Sequence, residues 1–253
     1  MKRLMIILFA LGLALLTAVG QTNGLTAKEI IQKADQKMRG ESNNAEMKMT
    51  IIRPTWEREV EMKSWSKGDE YALILITAPA REAGTAFLKR GNEIWNWQPS
   101  IDRTIKLPPS MMQQSWMGSD FTNDDLVKQS SIVEDYTHEK MGVENIEGRS
   151  CWKIGLTPKE DAPVVWGKVI TWVDQEEFME LKTEFYDEDG ELINTIYGKQ
   201  VKEMDGRIIP TLLEVHPADD PGKRTVIQYL SIDFNIDIEA SYFSVQNMKR
   251  LRP

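Results

Sequence analysis

The chain has 253 residues, with 39 acidic against 31 basic side chains and a formal net charge of −8. That balance excludes the basic face a nucleic-acid binder needs and argues against tight electrostatic docking on anionic lipid heads. Hydrophobic residues make up 41% and charged residues 28%, the proportions of a globular protein and not of a disordered or collagen-like one.

Lys2 and Arg3 precede an apolar run from Leu4 to Leu16, and Ala18-Val19-Gly20 puts small residues at positions −3 and −1 of a cut before Gln21. This is the pattern of a secretory signal peptide. The run is shorter than the roughly 20 apolar residues a membrane span requires, so a retained anchor is not expected. No Cys follows the cut, which argues against a lipid-anchored form. Residues 1–20 are therefore read as a signal peptide cleaved after Gly20, and 21–253 as one exported domain, most simply periplasmic.

In "LTAKEIIQKADQKMRG" Thr26 and Glu29 form a capping box, each side chain serving the other's free backbone amide. Ala27, Ile30, Ile31, Ala34 and Met38 follow helical spacing, and Gly40 supplies the stop. The spacing predicts an amphipathic helix lying on an apolar surface. Nearly everything after it alternates with period two: "AEMKMTII", "WEREVEMKSW", "YALILIT", "GTAFLKR", "EIWNWQP" and "DRTIKL", then "YTHEKMGVENI", "SCWKIGLTP", "GKVITWVD", "MELKTEFY", "ELINTIYGKQVKEM", "IIPTLLEV" and "RTVIQYLSIDF". Turn signals such as Lys67-Gly68-Asp69 and Asp205-Gly206 separate them. Short strands at regular spacing mean antiparallel hairpins in a sandwich or barrel. A large sheet with charged residues outward and Met, Ile, Val, Leu and Trp inward curls upon itself, and its hollow must be filled by side chains, a helix or a ligand. Cys151 is the single cysteine, so no intramolecular disulfide is available. Its place in an alternating run makes it a small packed residue, the alternatives being a reactive thiol or an intermolecular bridge.

The two histidines, His138 and His216, lie in separate strand regions without a ligand cluster at metal spacing, so each is read as a surface or cross-strand residue. No G-x-S-x-G elbow and no Gly-rich loop opening a helix is present. The acidic pairs Asp124-Asp125, Glu176-Glu177 and Asp219-Asp220 lie beside turns or helix starts, where solvation or a helix N-terminus explains them. No catalytic residue, metal or cofactor is expected.

The connection "LPPSMMQQSWMGSDFTNDDL", residues 107–126, is unusual in carrying Met111, Met112, Trp116, Met117 and Phe121. Pro108-Pro109 stops the preceding strand. Ser110 and Gln113 form a capping pair that predicts a short helix over 111–117, and a second start lies at Thr122 with Asp124 and Asp125 in its first turn. The apolar underside serves either as a permanent plug or as a lid that lifts for a lipid chain; methionine, with its adaptable thioether, suits the lid. Upstream, Trp95 and Trp97 share one side of a strand and either line an apolar cavity or belong to an outer aromatic cluster or a contact with the N-terminal helix.

The segment "GTAFLKRGNEIWNWQPSIDRTIKLPPSMMQQSWMGSDFTNDDL", with the N-terminal "LTAKEIIQKADQKMRG" and C-terminal "SYFSVQNMKRL", resembles the LolA-like outer-membrane lipoprotein-sorting proteins. The resemblance implies an incomplete antiparallel β-barrel with an N-terminal helix and short plug or lid helices. It implies carriage of the acyl chains of lipoproteins, or another hydrophobic envelope molecule, from an inner-membrane exporter of the ABC or RND type toward an outer-membrane acceptor, the carrier acting as a monomer. Cavity and lid would then comprise Trp95, Trp97, Met111, Met112, Trp116, Met117 and Phe121. Better-known members hold the lid with an inward arginine, for which Arg103 is a candidate by neighbourhood. The alternative is an interaction protein with a filled core, docking on an exporter complex or acting as an adhesin.

Overall fold

Hairpin after hairpin, the alternating runs form one antiparallel sheet of thirteen strands in a computed structural model that describes residues 24–127, 131–160 and 162–253. The signal-peptide reading of residues 1–20 lies outside the described residues. The strands are β1 (Ser42–Arg53), β2 (Trp56–Lys67), β3 (Tyr71–Ala78), β4 (Ala86–Arg90), β5 (Glu93–Gln98), β6 (Arg103–Lys106), β7 (Tyr136–Ile146), β8 (Arg149–Pro158), β9 (Lys168–Asp174), β10 (Glu180–Tyr186), β11 (Leu192–Met204), β12 (Arg207–Pro217) and β13 (Arg224–Phe234). Their order is β6-β5-β4-β3-β2-β1-β13-β12-β11-β10-β9-β8-β7. The first and last strands of the chain thus pair at the centre, Met49 opposite Ile227, and two meanders run outward from that seam. The sheet does not close: β6 and β7 are its two edges. The fold is an incomplete antiparallel barrel.

This order explains why the 107–126 connection is apolar. The connection from β6 to β7 links one edge of the sheet to the other, and its residues 107–126 lie over the inner face. Inward residues of β1 to β5, β12 and β13, among them Met47, Met49, Ile51, Val60, Met62 and Ile76, pack against Met112, Trp116 and Phe121. A polar connection on that path would leave the inward side chains uncovered.

The other half of the inner face is covered by α1 (Ala27–Arg39). Thr26 N donates to Glu29 Oε2 at 2.7 Å and Glu29 N to Thr26 Oγ1 at 3.2 Å, so the predicted capping box is made. Ala27, Ile30, Ile31 and Ala34 pack on Trp152, Ile154, Leu156, Val169 and Val173. At the other end Gly40 takes φ +66° and its N–H caps the Gln36 carbonyl, while Arg207 Nη1 donates to the carbonyls of Gln36 and Lys37 at 2.9 and 3.1 Å, reinforcing the helix end.

The outward face is not uniformly polar, contrary to expectation. Leu73, Leu75, Leu88 and Trp97 on β3 to β5 face away from the hollow and are roofed by the C-terminal segment through Ile238, Phe243 and Met248. Phe243 stacks on Tyr71 with centroids 5.4 Å apart, and Lys249 Nζ lies 4.6 Å from the centroid of Trp97. A second outer cluster joins Cys151 to Ile170, Trp172, Met179 and Leu181. Burial pushes the Cys151 thiol up to about 11, which suits a packed residue. Among the described residues no helix is long and apolar enough to cross a membrane.

Candidate functional site

The segment over the inner face is a folded-back loop, and not the helix over 111–117 that Ser110 and Gln113 predict. A single 3-10 turn, Pro109–Met111, follows the prolines. Met117 at φ +52° and Gly118 at φ +76° then reverse the chain, and Ser115 forms a bridge with Thr122. Trp116 N donates to Phe121 O at 2.8 Å, Asn123 N to Gln114 O at 2.9 Å and Asp124 N to Met112 O at 3.2 Å. This loop sets Met112, Trp116 and Phe121 on the sheet together. Their burial outweighs the weak helix preference of seven residues, since propensity is readily overridden by tertiary contacts. Trp116 is 0% exposed, its ring 5.2 Å from that of Phe87. Met111 and Met117 pack half-buried at the margin of the same cluster.

The second predicted start is present. Thr122 N donates to Asp125 Oδ2 at 2.8 Å and Asp125 N to Thr122 Oγ1 at 3.1 Å, opening α2 (Asn123–Val127). Burial pushes the Asp125 carboxyl up to about 6, against the pull of its bonds to Thr122, and the neighbouring Asp124 adds to the rise.

Two arginines fasten the loop, and Arg103 is not one of them: it is exposed on the edge strand β6. Arg53, at the end of β1, makes a two-pronged pair with Asp120, both N–O distances 2.9 Å. The pair is well buried, with side chains 11% and 8% exposed. Arg53 also donates to Gly118 O at 3.1 Å. Thr225 of β13 donates to Asp120 Oδ2 at 2.7 Å and accepts from Asp120 N at 3.0 Å. Arg58 of β2 donates through Nη2 to the carbonyl of Met117. A signal for both arginines lies in the alternation. Arg53 continues the inward series Ala45, Met47, Met49, Ile51, and Arg58 opens the series Val60, Met62. A charge in the inward register requires a buried partner.

Of the residues expected at the site, Met111, Met112, Trp116, Met117 and Phe121 come together over the inner face. Trp95 and Trp97 do not join them. They stand on the opposite face, under the C-terminal segment, while Ile94 takes the inward place on the same strand. Alternation places the two tryptophans on one side of β5 but carries no information on which side.

Beneath the loop, Met112, Trp116 and Phe121 themselves fill the inner face of this half of the sheet. Two open cavities flank the loop. One, about 320 Å³, lies between Phe121, Thr122 and Trp166; the other, about 370 Å³, between Arg58, Glu82, Asn96 and Met117. Both lie at the low end of the roughly 300–1,000 Å³ typical of ligand pockets, and both mix polar with apolar walls. Trp116 Nε1 has no hydrogen-bond partner among the described residues, a burial that costs about 1–3 kcal/mol.

His138 on β7 and His216 on β12 are far apart in the sheet order, bonded to Ile132 O and Glu214 Oε2. Among the described residues no three His, Cys, Asp or Glu side chains are grouped to hold a metal ion.

A family model described as "Uncharacterized protein"-like matches residues 68–250. No curated protein matches. Among solved structures, a DUF1329 family protein from Desulfovibrio piger superposes with a TM-score of 0.79 at 23% identity, covering 88% of this chain and 97% of the other. A putative outer membrane lipoprotein-sorting protein domain from Vibrio parahaemolyticus gives 0.79 at 22%, covering 88% and 98%. A LolA superfamily protein from Nitrosomonas europaea gives 0.76 at 26%, covering 88% and 99%.

Proposed function

We propose that the chain, which belongs to the uncharacterised family matched over residues 68–250 and shares the fold of a LolA superfamily protein, is a non-enzymatic periplasmic carrier of acyl chains. The cargo is that of a lipoprotein or another hydrophobic envelope molecule, exported residues 21–253 form the carrier, and the 107–126 loop is the lid. One observation supports this above the others: an apolar loop lies over an apolar sheet face and is fastened there by polar groups, Arg53, Arg58 and Asp120. Methionines face each other across that contact, Met47, Met49 and Met62 on the sheet and Met111, Met112 and Met117 on the loop. Such side chains repack around a different occupant with little strain. Magnitudes permit the exchange. Burial of the three anchors Met112, Trp116 and Phe121 is worth about 5–9 kcal/mol at 1.5–3 each, whereas a chain of about 16 methylenes gains about 13 kcal/mol on the same surface.

The lid and the cargo compete for one face, so weakening the lid strengthens binding. Apparent affinity scales with the fraction of open protein. Truncating Trp116 costs the closed state about 3–5 kcal/mol. Trp116→Ala is expected to lower Tm and to raise the affinity for a fluorescent fatty acid by at least about tenfold. Complete burial of Trp116 supports a second reading, a permanent plug in an envelope docking protein. In that case the same substitution lowers Tm and leaves fatty-acid uptake absent, and organic extracts of detergent-free protein contain no lipid by mass spectrometry.

A further inference from the structure

The 370 Å³ cavity beside the loop has a composition that an acyl chain alone does not explain. Arg58 and Arg81 line it, with Glu82, Asn96, Phe87 and Met117. Arg58 Nη1 lies 3.6 Å from Glu82 Oε1, and Arg81 Nη2 2.9 Å from the same oxygen. Two guanidinium groups share one carboxylate, which leaves the cluster with an excess positive charge. Arg58 Nε, a donor, and Glu82 Oε2, an acceptor, are buried and without hydrogen-bond partners among the described residues, and a buried polar atom left unsatisfied is costly. The cavity adjoins the lid directly: Met117 forms part of its wall, and Phe87 reaches from it to Trp116.

We propose that this cavity seats the polar head of an amphiphilic cargo, a phosphate next to an N–H or O–H donor, as in a phosphoethanolamine head group. The phosphate answers Arg58 and Arg81, and the donor answers Glu82. A quaternary ammonium head lacks the donor, and a head without an anion lacks both charge-assisted bonds. The tail would run from Phe87 and Met117 onto the inner face. Recognition would also act on the lid, because Arg58 donates to the Met117 carbonyl and a phosphate oxygen is the stronger acceptor. Once Arg58 turns to the head group, one fastening of the loop is lost. This rests on the carrier reading and names the class of its cargo.

The test measures lipid retained by the full mature chain after incubation with dispersions of dioleoyl phosphatidylethanolamine, dioleoyl phosphatidylcholine or dioleoylglycerol, quantified by mass spectrometry. The expected preference for phosphatidylethanolamine over dioleoylglycerol is about tenfold or more, the value of one hydrogen bond to a charged group, with phosphatidylcholine between them. Arg81→Ala, at a side chain 70% exposed and cheap to replace, should lower the ratio to dioleoylglycerol severalfold, with the Arg58 bond to the phosphate retained. Glu82→Gln, which keeps an oxygen acceptor but loses the charge, should reduce the preference for phosphatidylethanolamine over phosphatidylcholine severalfold. Equal retention of all three lipids, or ratios that neither variant changes, overturns the head-group site and leaves the carrier reading standing. Retention of none overturns both. If glycerophosphoethanolamine without a tail binds as tightly as the lipid, the cavity serves a soluble phosphoester and its link to an acyl cargo is overturned.

Discussion

Arg53 and Asp120 put two opposite charges into the interior at the seam of the sheet, where taking ions out of water is expensive. What offsets that cost is their geometry: two parallel N–H···O bonds, with the spare carboxylate capacity met by the Thr225 hydroxyl. Removing one partner strands the other. Arg53→Met is expected to destabilise the protein by about 3–5 kcal/mol, and Arg53→Met with Asp120→Leu by clearly less than the sum of the single changes. Urea unfolding of the four proteins measures the coupling; additive losses below about 1 kcal/mol would mean a pair no stronger than one at the surface. Both arginines that fasten the loop are legible in the amino-acid pattern, because they occupy inward positions of β1 and β2. Arg103 is a candidate only through lying near the loop in sequence. Trp95 and Trp97 illustrate the opposite difficulty. Period two assigns them a common side, yet the face they cover depends on where the C-terminal segment lands, some 140 residues later, which no local pattern encodes.

At the scale of elements, capping chemistry is legible wherever it acts on a helix that tertiary contacts allow. Thr26 and Glu29 start α1, and Thr122 starts α2. Ser110 and Gln113 offer similar chemistry and start no α-helix, because three apolar anchors are buried together only when the loop folds back at Met117 and Gly118. Asp125 carries the consequence for α2. Its folded carboxyl titrates near 6 against an ordinary value of 3.8, so the folded chain binds that proton more tightly than the unfolded chain does. Stability from this group is therefore lowest above pH 6, rises as pH falls through 6, and levels off below about 4. Asp125→Asn keeps an oxygen acceptor for Thr122 N and removes the charge. The Tm difference between Asp125→Asn and the parent should favour the variant at pH 7.5 and shrink steadily toward pH 4. A difference that is flat across this range would place the Asp125 carboxylate in contact with solvent.

For the whole molecule, the topology sets where motion can be cheap. Strands β1 and β13 are each paired on both sides at the centre of the sheet, so their amides are released only when the sheet is lost. The 107–126 loop is different: its backbone bonds are internal apart from that of Leu107 N to Ile94 O, and it is otherwise joined to the sheet by side chains, the two arginines among them. Segments with few backbone bonds to the rest of a fold open at lower free energy than its core. Opening lifts Met112, Trp116 and Phe121, gives the Trp116 N–H access to water, and leaves β1 to β5, β12 and β13 paired. Native-state hydrogen exchange should accordingly separate two populations. The amides of Trp116, Ser119, Asn123 and Asp124, all bonded within the loop, are expected to exchange through a sub-global opening several kcal/mol below that of Met49 and Ile227. Arg53→Met should lower the loop's opening free energy further and bring down that of the sheet only by the global loss. A lid acts through this gap, because a bound tail draws on the open population without unfolding the sheet. If the loop amides share the protection of Met49 and Ile227 in the parent protein, loop and sheet open as one unit, and the apolar face is reached only by unfolding.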